Sequence, residues 1–193
     1  MMDSKSVDRV KTIKSISKIP VVLFPGGASQ LSSYYDAILF LSFISGRNPH
    51  YLIGEQVVAA PVIKDLCIEA ISTGYILVDG GARSAVEIIS GTQSIPMEKI
   101  DVIISHALAG QYLGMKLIYL ESGSGASKSV EIPLIQRVSD EIDVPLIVGG
   151  GITSPKKARK IVCAGASIVV TGSVIEGEPQ KMKEFADAIH INE

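Results

Sequence analysis

Residues 117–125 read LIYLESGSG. Leu117, Ile118, Tyr119 and Leu120 form an apolar run typical of a buried strand, and Glu121 follows directly. A carboxylate at the end of such a strand costs free energy unless it is solvated, paired or used in chemistry. The Ser122, Gly123, Ser124, Gly125 tail offers bare backbone N–H groups, which suit an anion. Side chains alternate along a strand, so Tyr119 and Glu121 point to the same side. A phenol and a carboxylate aimed at the space beside an anion-holding loop make a candidate active site. The competing reading gives Glu121 a structural role, paired with a lysine or with the N–H groups of its own loop.

Working outward, five more runs resemble 117–125: IPVVLFPGG (19–27), HYLIGEQ (50–56), TGYILVDGG (73–81), VPLIVGGG (144–151) and ASIVVTGS (166–173). Helical spacing separates most of them. Tyr35, Ile38, Leu39 and Ser42 predict a helix over 32–45, and Leu134, Ile135, Val138 and Ile142 predict one over 132–142. A third, over 155–164, opens on Ser154-Pro155, an N-cap followed by proline in the first turn. Short runs that are apolar on both faces describe strands covered on both sides, and alternation with helices makes the sheet parallel. The expectation is an α/β fold of the TIM-type (β/α)8 barrel, in one domain over residues 1–193, with its chemistry at the C-terminal strand ends. An open doubly wound sheet is the alternative that periodicity leaves standing. The count raises a problem, because six strands are found and a closed barrel needs eight. The chain also opens on a helical pattern, with Asp3 or Ser4 as cap, Val7, Val10, Ile13 and Ile16 on one face, and an end near Lys18 ahead of Pro20. A helix that begins a βα repeat implies a strand in front of it, so the expectation is an incomplete barrel.

Three glycine-rich strand ends stand out: ESGSGA, VGGGIT and VTGSVIE. A Cβ at such places would hold phosphate oxygens away from the backbone N–H groups. Any one cluster is an ordinary strand-to-helix turn on the bland reading. Gly150-Gly151 and Gly172-Ser173 at successive strand ends match the phosphate site that many barrels build there. Asp79, before Gly80-Gly81, reads equally as a site carboxylate or a turn residue. His106 sits in an apolar helical run and reads as packed or half-exposed, and Asn48-Pro49-His50 reads as a turn. No set of His, Cys and carboxylates has the spacing of a protein-built metal site.

The bulk numbers exclude other classes. In 193 residues, 47% are hydrophobic, and 18 basic residues face 20 acidic ones, which leaves no basic field for nucleic acid. No apolar run reaches the roughly 18–20 residues of a membrane span, and no secretory leader is visible. Cys67 and Cys163 read as reduced core thiols of a cytoplasmic protein.

Together PVVLFPGG, NPHYLIGEQ, TGYILV, ALAGQYLGMKLIYLESGSGA, PLIVGGGI and AGASIVVTGSVIE resemble the geranylgeranylglyceryl phosphate synthase family from about residue 7 to the C-terminus. The resemblance implies a modified (β/α)8 barrel. It implies a prenyltransferase that moves the geranylgeranyl group of geranylgeranyl diphosphate onto the 3-hydroxyl of sn-glycerol 1-phosphate. Diphosphate is released with Mg2+ as cofactor, a step of archaeal ether-lipid synthesis. Glycerol phosphate would be bound by Tyr119, Leu120, Glu121, Ser122, Gly123, Ser124 and Gly125. Gly150, Gly151, Gly172 and Ser173 would hold its phosphate. Glu121 would receive the hydroxyl proton, and Tyr119 would face the developing allylic cation. The apolar barrel wall would take the prenyl chain, and bulky groups at its floor would limit chain length. A cytoplasmic homo-oligomer is implied, touching the membrane only through its lipid substrate.

Two departures from the family pattern matter. Ser173 stands where the family usually has asparagine, a change that keeps a polar group beside the phosphate. The family also begins with a strand–helix–strand that carries the Asp and Ser/Thr expected to handle Mg2+, and this sequence joins the pattern after it. No metal ligand is therefore assigned in this chain. One reading is a prenyltransferase shortened at its start, nearly inactive in this form. Others are a non-catalytic homologue that keeps the glycerol phosphate half-site, and a different phosphate-binding barrel enzyme such as a phosphosugar isomerase.

Overall fold

Strands that are dry on both faces need cover on both faces, and the fold supplies it with one curled sheet inside a layer of helices. The computed structural model describes residues 4–190. The strands are β1 (Val22–Leu23), β2 (Ala37–Ser42), β3 (Glu69–Leu77), β4 (Leu117–Glu121), β5 (Leu146–Gly149) and β6 (Ile168–Val170). All neighbours pair in parallel, in the order β1-β2-β3-β4-β5-β6. The helices are α1 (Ser4–Ile16), α2 (Glu55–Asp65), α3 (Ala85–Ser90), α4 (Ile100–Tyr112), α5 (Ile132–Glu141), α6 (Pro155–Cys163), α7 (Ser173–Gly177) and α8 (Met182–Ile189).

Alternation along each strand divides the core. Ile76, Ile118, Leu120 and Val148 face outward and pack with Ile103, Ala107, Leu134, Ile135, Val138 and Ile161 of the helices. Leu39, Tyr75, Leu77, Tyr119 and Ile147 face inward and meet one another. Phe24, just past β1, touches Tyr119 of β4 with ring centroids 5.4 Å apart. Three strand spacings in a flat sheet would separate those strands by about 14 Å, so the sheet must curl to bring the rings together. The result is the six-stranded part of a barrel that the sequence predicts. Its edges are β1 and β6, where Val22 and Ile168 are each 43% exposed.

Two elements differ from the sequence reading, and the two changes are linked. The helix expected over 32–45 is strand β2, and the strand expected over 50–56 is helical. For β2, the sheet ladder outweighs local spacing. Asp36 is tied to Val21 through its backbone N–H and its carboxylate, and six register pairs then join β2 to β3. For 50–56, Asn48 starts a helix, because its side chain accepts from the His50 N–H and its carbonyl from Tyr51 and Leu52. A π-helical turn, His50–Gly54, follows and runs into α2, where Gln56, Ala59 and Ile63 are buried at helical spacing. The strand count stays at six because the two exchanges cancel.

Smaller corrections concern the cysteines and α1. Cys67 and Cys163 are free and exposed rather than core thiols. In α1, Val10 is buried but Ile13 and Ile16 are 44% and 81% exposed, so the expected apolar face is only partly covered. Asp3, one of the two expected caps, lies outside the described residues.

Ile135 is fully buried between sheet and helices, whereas Leu113 is 77% exposed. Ile135→Ala is expected to cost about 2–5 kcal/mol. Leu113→Ala should stay within about 0.5 kcal/mol. Urea denaturation of both variants checks this, and equal midpoints would contradict the core assignment.

Candidate active site

The strand register stacks two inward layers at the mouth of the curl. Tyr75, Tyr119 and Ile147 are aligned across β3, β4 and β5. One layer higher, Leu77, Glu121, Gly149 and Val170 are aligned across β3 to β6. They line or adjoin a cavity of about 740 Å3. Its wall near β2 and β3 is apolar, with Leu39, Leu41, Phe43 and Val86, and its rim near β4 to β6 is glycine-rich, with Gly125, Gly150, Gly151 and Gly172.

Glu121 is 6% exposed, and its Oε1 accepts the Gly123 N–H at 2.7 Å. Burial pushes its carboxyl above the ordinary range, opposed by the neighbouring Tyr119 hydroxyl and by the Gly123 N–H. The Tyr119 Oη is buried with no hydrogen-bond partner of sound geometry among the described residues, though it lies close enough to feel the Glu121 charge. Burial first, and that charge second, hold the Tyr119 phenol protonated well above its usual range. The pair therefore combines a proton acceptor of raised affinity with a neutral phenol.

The glycines opposite make room for both groups. A Cβ on Gly149 would sit 2.4 Å from Tyr119 Oη and 2.7 Å from Glu121 Oε2. A Cβ on Gly150 would sit 2.6 Å from Glu121 Oε1 and 2.4 Å from Ser122 Oγ, and its φ of 85° disfavours other residues in any case. Ser122 is buried and fastens the loop to β5 through its N–H to the Gly149 carbonyl, 3.2 Å. Ser124 and Gly125 line the cavity, as do Gly172 and Ser173 at the start of α7. At Gly172 nothing lies within 4 Å of a notional Cβ, so that side of the rim is open space. The three glycine-rich ends expected from the sequence thus line the same cavity as Glu121.

Other candidates fall elsewhere. Asp79 is exposed and accepts the Gly81 N–H at 2.8 Å, the turn reading. His106 is half-exposed on α4, with Nδ1 2.7 Å from the Val102 carbonyl oxygen. Asn48 and Pro49 begin the helical turn described above. Sequence reasoning missed Phe24 and Tyr75, which pack on Tyr119 and line the cavity. Tyr75 shares the parity of Leu77 in TGYIL, a signal that becomes visible only once its strand is aligned with β4. It also missed His50 and Glu55, paired at 2.8 Å on the cavity wall. Among the described residues, no three His, Cys, Asp or Glu side chains gather where they could hold a metal ion. No helix among them is long and apolar enough to cross a membrane.

Residues 2–189 match the PcrB family. A geranylgeranylglyceryl phosphate synthase of Chitinophaga pinensis is 50% identical over 94% of this chain and 72% of its own length. One from Methanopyrus kandleri is 42% identical over 93% and 74%. Among solved structures, (S)-3-O-geranylgeranylglyceryl phosphate synthase of Thermoplasma acidophilum, in complex with its substrate sn-glycerol-1-phosphate, superposes with a TM-score of 0.88. It is 34% identical, over 98% of this chain and 77% of that one.

The raised Glu121 pKa gives a stability test with a definite sign. A carboxyl whose folded pKa lies above its unfolded value leaves the fold most stable below the unfolded pKa, and that stability is lost as pH rises. The window therefore opens near the ordinary value of 4.5 and extends upward. Glu121→Gln, which never ionises, should be more stable than the parent at pH 8, with the gap closing below about pH 4.5. Thermal melts across that range check it, and a gap that widens on acidification would show that Glu121 is stabilised as the anion.

Proposed function

This chain belongs to the PcrB family, and from that premise we propose that it is a prenyltransferase of the geranylgeranylglyceryl phosphate synthase type. It transfers a geranylgeranyl group from geranylgeranyl diphosphate to the 3-hydroxyl of sn-glycerol 1-phosphate, forming an ether and releasing diphosphate. The observation that carries this reading is the juxtaposition of buried Glu121 with three glycine-rich strand ends beside an apolar cavity. Relatives come from bacteria and archaea alike, so the reading concerns the reaction rather than a lineage.

On this reading the phosphate lies among Ser124, Gly125, Gly150, Gly151, Gly172 and Ser173, and at Gly125 and Gly172 the space that a Cβ would take is open, which lets an anion approach the backbone. That places the glycerol near Glu121, whose carboxylate takes the proton of the 3-hydroxyl as its oxygen attacks. The proton affinity that burial raises at Glu121 suits that transfer. The prenyl chain runs along Leu39, Leu41 and Phe43, where its burial contributes about 0.8 kcal/mol per CH2. Mg2+, the family's implied cofactor, would neutralise the leaving diphosphate. The described residues offer no cluster that fits it, so no step is assigned to it here.

We further assign the enzyme to the cytoplasm as a homo-oligomer that meets membranes only through its lipid substrate. The unpaired edges at β1 and β6, and the exposed Val57, Val58 and Val62 of α2, support self-association. Sedimentation velocity should give a species of at least twice 20.5 kDa. A monomer at all concentrations would remove that assignment.

Titration with sn-glycerol 1-phosphate in the absence of metal should show binding, and Gly172→Asp should abolish it through like charge and bulk. Unchanged affinity would displace the phosphate from this rim. Glu121→Gln should lower turnover by roughly 10²–10⁴ while glycerol phosphate affinity changes little. Ether formation from labelled glycerol phosphate, assayed with Mg2+, reads it out. Binding without ether formation in the parent chain would favour a non-catalytic phosphate-binding homologue.

A further inference from the structure

A phosphate monoester carries a charge of about −1.5 to −2 near pH 7. The cavity offers little to balance it. Its lining holds no Lys or Arg among the described residues, and its charged side chains are Glu55 and Glu121, with His50 paired to Glu55. Backbone N–H groups at the rim supply partial charges only. A dianion placed in the same cavity as Glu121 therefore calls for a full cation close by.

Lys157, the third residue of α6, brings one to the rim. Side chains in a helix lean toward its N-terminus, so one in the first turn can run back past the helix start. The Lys157 Nζ lies 3.4 Å from the carbonyl oxygen of Gly151, which lines the cavity. Both ends of that contact are fixed. The Lys157 N–H donates to the Ser154 carbonyl at 3.1 Å and to its hydroxyl at 3.3 Å. A Cβ on Gly151 would stand 2.7 Å from the Lys128 carbonyl oxygen, so the loop is pressed in place. Ordinary solvation of a surface lysine does not account for this placement. Lys157 is half-buried, whereas its neighbour Lys156 is exposed. No carboxylate pairs with Lys157 among the described residues. The first turn of α6 holds no acidic residue either, and the positive end of a helix disfavours a cation. An anion at Gly150 and Gly151 would relieve both penalties.

We propose that Lys157 is the cationic contact of the glycerol phosphate at this rim and makes the site selective for a doubly charged anion. The assignment rests on the glycerol phosphate reading above. When the phosphate binds, the Lys157 ammonium exchanges the Gly151 carbonyl for a phosphate oxygen. Charge on both partners makes that hydrogen bond the stronger of the two. The exchange breaks no covalent bond and moves no proton. It holds the phosphate end of the acceptor at the rim, so that the glycerol end is left toward Glu121.

The test reads binding, so it does not depend on turnover. Calorimetry on the full chain compares sn-glycerol 1-phosphate with sn-glycerol 1-sulfate, which has nearly the same shape and a single negative charge. The parent protein should prefer the phosphate. Lys157→Met should weaken phosphate binding by roughly 10- to 100-fold and sulfate binding less, which narrows that preference. Lys157→Arg, which keeps the charge, should recover part of it. Lys156→Met removes the same net charge from the exposed neighbour and should change phosphate affinity by less than about two-fold. A structural role for Lys157 would weaken both ligands alike. Equal losses for the two ligands, a loss matched by Lys156→Met, or no loss at all overturns the assignment. Phosphate binding that Gly172→Asp abolishes and Lys157→Met leaves intact sinks Lys157 alone. No phosphate binding by the parent sinks both the contact and the rim. Binding that depends on Lys157 in a chain making no ether upholds the contact and sinks the alkylation reading.

Discussion

Glu121 is a carboxylate at the end of a strand whose other side chains are apolar, and it is withheld from water. An unsolvated carboxylate is costly, so its surroundings must either neutralise it or use it. They supply little neutralisation: one backbone N–H from Gly123 and a nearby phenol. Much of the local architecture follows from accommodating that group. Gly149 and Gly150 lack side chains because atoms of Glu121, Tyr119 and Ser122 occupy the space where a Cβ would stand. Gly80 is constrained at the same loop, where a Cβ would sit 2.1 Å from the Ser122 carbonyl oxygen. The loop after β4 is thus pressed against the ends of β3 and β5 by close backbone contact.

The same geometry divides the cavity into two solvents. Around β4 to β6, Gly125 and Gly172 leave open space beside the backbone at the rim. Around β1 to β3, Phe24, Leu39, Leu41, Phe43 and Tyr75 form a wall that water does not favour. A substrate with a phosphate end and a substrate with a long hydrocarbon chain would each find one half congenial. Glu121 and Tyr119 stand at the boundary, where the two reacting groups would meet. Parallel strand register sets this division, because it brings one residue of each strand to the same height.

Local sequence was a reliable guide wherever one physical effect dominated. LIYLESGSG, PLIVGGG and IVVTGS each combine a short run apolar on both faces with glycine, and each ends as a strand with its loop at the cavity rim. Ser154-Pro155 caps and opens α6, with the Ser154 hydroxyl accepting the Lys157 N–H. The reading failed where two effects competed. AILFLS fits either a strand or the buried stripe of a helix, and HYLIGEQ fits either a strand or a capped helix. Pairing with neighbouring strands decided the first, and hydrogen bonds to Asn48 decided the second. The cysteines were misjudged because burial depends on which helix face and which turn meet solvent, and composition carries no such information.

Sequence alone determined the parallel α/β class, the parity that sends Tyr119 and Glu121 to one side, and the glycines around them. All of these follow from backbone sterics and from alternation, which act over a few neighbouring residues. Tertiary structure decided which strands Phe24 and Tyr75 would face, how far Glu121 would be dried, and that the three glycine-rich ends would share one rim. Those features depend on sheet curl and inter-strand register, which bring together residues as distant as 24 and 119 and set the solvent exposure of each.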